Sequence, residues 1–132
     1  MQIKCKNKTI DKIRGGRKMI KEKQDIRYQQ LLERSGATTG DLERRALFHI
    51  ISGNDEIYSN VDSIYDFKEN VIRTESLEED VYLSSSSRKL VKLAYHLYNG
   101  YEASLLEVFS GLTDEDARLG IEAIKIRFDI KD

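Results

Sequence analysis

Apolar residues recur three or four positions apart along most of this chain, interrupted at short polar breaks, and that rhythm predicts a succession of helices. Ile20, Gln24, Tyr28, Leu31 and Leu32 mark a first helix over 20–34, stopped at Ser35-Gly36. A second begins near Asp41. Thr38 is placed to cap it, with Asp41 three residues on, a capping box with Asp in place of Glu. Its stripe is Leu42, Ala46, Leu47, Ile50 and Ile51, with Glu43, Arg44 and Arg45 toward water, and Gly53 is expected to close it in the left-handed conformation. Asn54 caps a third helix with Asp55 and Glu56 in the first turn, where the helix dipole favours negative charge. Ile57, Tyr58, Val61, Ile64 and Tyr65 form its apolar face.

From Phe67 to Leu83 the rhythm fails. Val71-Ile72 and Val81-Tyr82-Leu83 read as short extended pieces of a hairpin or an irregular connection around the acidic stretch Glu75 to Asp80. A serine run then offers capping hydroxyls to a fourth helix, whose stripe of Leu90, Val91, Leu93, Ala94, Leu97 and Tyr98 ends at Asn99-Gly100. So wide a stripe belongs to a central helix touched on several sides. Ser104 caps a short helix with Leu105, Leu106, Val108 and Phe109, ending at Gly111. Thr113 opens the last, with Asp114, Glu115 and Asp116 in its first turn and Ala117, Ile121, Ile124 and Phe128 on one face, which Ile126 widens. The expected fold is all-α: a compact single-domain bundle of five or six helices, with a small hairpin or irregular segment around residues 67–83.

Charge divides the chain unevenly. Residues 1–18 carry Lys4, Lys6, Lys8, Lys12, Arg14, Arg17 and Lys18 against Asp11, a net +6, and the whole chain carries −1, which leaves −7 for residues 19–132. The first piece reads as a basic N-terminal extension and the second as one helical domain. Arg14-Gly15-Gly16 is also what a purine-rich bacterial ribosome-binding sequence spells when translated in frame, which makes Met19 the expected native start. At 39% apolar and 34% charged residues the composition suits a soluble globular protein. A single cysteine, Cys5, and the lack of a long apolar run point to a cytoplasmic protein with no membrane segment.

Few residues suggest chemistry. Ser84, Ser85, Ser86 and Ser87, followed by Arg88 and Lys89, combine hydroxyls, two cations and the free N–H groups of a helix start, a setting that suits a phosphate, a carboxylate or a partner contact. Plain capping accounts for the same serines. His49 and His96, the two histidines, lie among apolar residues and read as structural, and nothing supplies a zinc set. The acidic triplets Glu78-Glu79-Asp80 and Asp114-Glu115-Asp116 read as a solvated loop and a helix start. Neither continues as a calcium loop. Tyr95, Tyr98 and Tyr101 recur every three residues, as either an interface or the rim of a core without Trp. No catalytic residue, cofactor or metal is expected.

Arg27-Tyr28-x-x-Leu31-Leu32 and Asp41-Leu42-Glu43-Arg44-x-Ala46-Leu47-Phe48-x-Ile50-Ile51-Ser52-Gly53-Asn54-Asp55 resemble a small uncharacterised family. The likeness continues through Ile64-Tyr65-Asp66-Phe67, the Ser84–Leu90 run, Leu97-Tyr98-Asn99-Gly100-Tyr101 and Ala123-Ile124-Lys125-Ile126-Arg127-Phe128, over roughly residues 26–128. That family occurs in Gram-positive bacteria, their phages and conjugative elements, and its members begin near the position of Met19. It has no assigned activity, so the resemblance implies a setting and transfers no site residue. The resulting expectation is a non-catalytic protein that binds another protein, host or element-encoded, and inhibits a host defence system by occupying a partner surface. The alternative is a small nucleic-acid-binding regulator that uses the basic arm and the Ser84–Lys92 helix start. A body of −7 argues against it by repelling phosphate.

Overall fold

The computed structural model describes residues 20–78 and 82–131, so the basic arm, Met19, and Glu79, Asp80 and Val81 lie outside the described residues. Seven α-helices follow in order: α1 (residues 20–35), α2 (Leu42–Ser52), α3 (Asp55–Ser59), α4 (Val61–Ile64), α5 (Ser85–Asn99), α6 (Leu105–Phe109) and α7 (Asp114–Arg127). Between α4 and α5 lie β1 (Tyr65–Asp66), β2 (Val71–Ile72) and a 3-10 turn over Thr74–Leu77. The two strands form an antiparallel hairpin pairing Tyr65 with Ile72 and Asp66 with Val71. Asn70 in the connection takes φ 56°, a left-handed value that Asn tolerates. The domain is therefore mostly helical; β2 falls where helical periodicity failed, while its partner β1 lies just before that segment and not at Val81-Tyr82-Leu83.

Helix α5 is the central element, contacting α2, α3, α6, α7 and the 3-10 turn. Leu90, Val91, Leu93, Ala94, Tyr95 and Leu97 are buried around more than half its circumference, and they meet Leu47, Ile50 and Ile51 of α2 in one core. Helix α2 lies between α5 and α7. The first helix contributes buried Leu31 and is tied to α3 and α4 by polar bonds: Arg27 to Asp55 at 2.6 Å, Arg34 to Asp62 at 2.7 Å, and Tyr58 Oη donating to Gln30 Oε1 at 2.9 Å.

Caps are where local sequence determined structure most directly. Asn54, Ser84, Ser104 and Thr113 each accept a hydrogen bond from the N–H three residues on, and Gly100 closes α5 at φ 84°. Four expectations need correction. Helix α2 is capped by Asp41 itself, whose carboxylate accepts from Arg44 N–H and pairs with the Arg44 guanidinium at 2.9 Å, a bond Thr38 cannot offer. Gly53 sits at φ −90°, not in the left-handed region; its small size is what matters, because a Cβ there would overlap Leu119 Cδ1 and stand 2.9 Å from Gln24 Nε2. The third helix breaks in two at Asn60, which turns the chain so that Tyr65 can enter a strand. Finally, α7 is rotated from its expected face: Leu119, Gly120 and Ala123 are buried, while Ile121 and Phe128 are 47% and 63% exposed. Small residues on the buried side let α7 approach both α2 and α5.

Candidate functional site

The serine run at the start of α5 is engaged by the chain. Ser84 Oγ accepts from Ser87 N–H at 3.3 Å, and Ser87 is buried, its hydroxyl directed to Asn54 Oδ1 at 3.5 Å. Glu56 Oε1 accepts from Ser84 N–H at 2.6 Å, and that bond holds the Glu56 carboxyl below its usual range. A carboxylate of α3 thus takes the position where an external anion would sit. Arg88 donates to the carbonyls of Leu83 and Leu77, Lys89 to that of Ser110, and Lys92 pairs with Glu107 at 2.6 Å. Ser84 and Ser85 are exposed, Ser86 is half-buried, and Ser87 is buried.

The tyrosines hold the hairpin end together. Tyr95 is fully buried; its hydroxyl lies 2.8 Å from Ile64 O, 2.7 Å from Arg73 O and 2.7 Å from Ser76 Oγ. A phenol has one proton, which the two carbonyls share, so Ser76 is the donor to Tyr95. Burial pushes the Tyr95 phenol well above its usual pKa, keeping it neutral. Tyr98, half-buried, donates to Asn70 O at 2.9 Å, and Tyr101 packs edge-on against Tyr95 with ring centroids 5.7 Å apart. Tyr65, Phe48 and Phe67 extend this cluster. Of Tyr95, Tyr98 and Tyr101, therefore, the first offers nothing to a partner and the other two are half-buried.

Two features escaped the sequence reading. One is α6. Leu105 is 65% exposed and Leu106 81% exposed, while Val108 on the opposite face is fully buried and Phe109 is half-buried. Residues 101–117 around them contain Glu102, Glu107, Asp114, Glu115 and Asp116 and neither Lys nor Arg. Beside α6, Leu105, Leu93, Leu97, Ile124 and Phe128 line an apolar groove of about 400 Å³.

The other is a cleft of about 820 Å³ between α1, α2 and α7. His49 lies at its floor: Nε2 is 3.0 Å from Glu122 Oε1, Nδ1 is 3.4 Å from Gln24 Nε2, and the Tyr28 ring stands edge-on to the imidazole. His49 lowers the pKa of the Glu122 carboxyl, with Arg118 and Lys21 adding to the effect. The cleft's cations are Lys21, Arg45, Arg118, Lys125 and Lys131; its acids are Glu122, Asp114 and Asp129. Positive charge is therefore in excess here, on a body that is net negative. The signal that joins these residues is a set of long-range contacts between positions 24, 49 and 122, which no local pattern carries. His96 is exposed, with Nδ1 2.7 Å from Tyr101 O.

Among the described residues no three His, Cys, Asp or Glu side chains are placed to hold a metal ion, and no helix is long and apolar enough to cross a membrane. No curated protein and no solved structure matches the chain. A model described as "Family of unknown function (DUF6075)" matches residues 16–131, nearly the whole length over which these helices run. By that match the chain belongs to the family of unknown function DUF6075.

Proposed function

We propose that this protein acts without catalysis, by binding another protein through the α6 surface. The observation that carries the reading is the exposure of Leu105 and Leu106 on a short helix that carries Glu107, itself paired with Lys92 of α5, and follows Glu102. Folding explains Val108 and Phe109, which turn inward; it leaves the two leucines in water, at a cost of roughly 1.5–3 kcal/mol each relative to burial. Exposed leucines with Glu102 and Glu107 close by in sequence suit a partner surface that is cationic with an apolar pocket. The nucleic-acid-binding groove of another protein has that chemistry.

The resemblance to proteins of phages and conjugative elements supplies the setting: a cytoplasmic protein of a mobile element that inhibits a host defence system by occupying such a groove. The nucleic-acid-binding alternative has less support in the described residues. Arg88, Lys89 and Lys92, the cations of that helix start, all donate to the chain itself.

The reading is tested with the tagged full chain as bait in cells that carry its gene, beside a Leu105→Ser/Leu106→Ser double variant. The expected result is a captured protein that the double variant loses, and that charge reversal at Glu102 and Glu107 weakens. Equal capture by bait and variant, or recovery of nucleic acid instead of protein, contradicts it.

A further inference from the structure

We propose that the cleft between α1, α2 and α7 binds a small phosphomonoester of nucleotide size. This inference does not depend on the α6 reading. Three observations converge on it. First, Arg45 is held in place without being neutralised: its Nε donates to Tyr28 Oη at 3.2 Å and its Nη1 to Thr39 O at 2.8 Å, both uncharged acceptors. A guanidinium oriented by neutral groups keeps its full charge and its remaining donors for an anion. Second, Arg118 and Lys21 are close enough to act on the Glu122 carboxylate, so two more cations face the same space from α7 and α1. Third, Ile121 and Ile130 line this cleft and are 47% and 53% exposed. Apolar side chains beside a cluster of cations fit a ligand with an anionic end and a flat or apolar body.

The dimensions favour a small molecule over a polymer. About 820 Å³ is within the range of small-ligand sites. A single phosphate needs only the local excess of positive charge, whereas a nucleic-acid strand would run on over a body of net −7. Glu122, bound to His49 at 3.0 Å, is the one carboxylate at the centre of the cleft. It competes with the ligand for the surrounding cations, so removing its charge should strengthen binding.

The experiment is calorimetric titration of the full chain with the four ribonucleoside 5′-monophosphates, with adenosine, with inorganic phosphate and with a short single-stranded oligonucleotide. Saturable binding of at least one monophosphate is expected, with adenosine and phosphate each weaker by tenfold or more. Arg118→Glu, an exposed change, should cost at least tenfold, and Glu122→Gln should tighten binding several-fold. A purely structural role for these side chains would not raise affinity on loss of Glu122. The proposal is overturned by no saturable binding of any monophosphate. It is equally overturned by affinity that Arg118→Glu leaves intact, which would place binding on the basic arm, or by an oligonucleotide that outcompetes every monophosphate.

Discussion

Two sides of α5 face opposite situations. At the hairpin side, Tyr95 is wholly buried with its hydroxyl among three partners, and Tyr98 and Tyr65 likewise place theirs on Asn70. At the α6 side, Leu105 and Leu106 are 65% and 81% exposed among the described residues. The first region is what an evolved core looks like: polar atoms taken inside only with partners. The second gives up apolar burial that a polar residue at the same positions would not waste. The contrast teaches where to look for function, because the hairpin end is explained by folding and α6 is not.

The sharpest way to break the comparison is to empty the hairpin end. Tyr95→Ala should cost about 3–5 kcal/mol, the usual loss for a large aromatic removed from a core, read as a lower urea midpoint. Tyr95→Phe keeps the ring but strands two carbonyls and the Ser76 hydroxyl, and about 1–3 kcal/mol is expected. Gly53→Ala should also lose about 1–3 kcal/mol: displacing buried Leu119 outweighs the entropy gained in the unfolded chain. A loss from Gly53→Ala smaller than 0.5 kcal/mol would mean that α7 moves freely against α2.

Alkaline titration probes the same end more gently. The folded-state pKa of Tyr95 and of Tyr65 is raised by burial, so their contribution is fully present below the ordinary tyrosine range near pH 10 and is lost as pH climbs above it. Urea midpoints should fall between about pH 10 and pH 12, and fall less steeply in Tyr95→Phe. An identical slope in both proteins would mean that Tyr95 ionises as freely as an exposed phenol.

Much of the helical frame could be read from the chain because caps are local. Ser84, Asn54, Ser104 and Thr113 each act within three residues, and Gly100 needs only its own backbone freedom. The width of the α5 stripe likewise announced a central helix. The hairpin was legible only as a failure of periodicity, since a two-residue strand is too short to show alternation. The rotation of α7 was not legible: Ile121 and Phe128 satisfy helical spacing as well as Leu119 and Ala123 do, and only contact with Gly53 and α5 selects between the faces. The cleft could not be found at all, because Gln24, His49 and Glu122 meet only in the folded chain.

The smallest expected effect on stability is also the most telling. Leu105→Ser/Leu106→Ser should leave the urea midpoint within about 0.5 kcal/mol per site, as surface changes do, while abolishing capture of the partner protein. Stability and capture measured together on that one variant test the central claim. An unchanged midpoint with lost capture is the predicted result. A stability loss of more than about 2 kcal/mol, or capture equal to that of the unaltered chain, would contradict it.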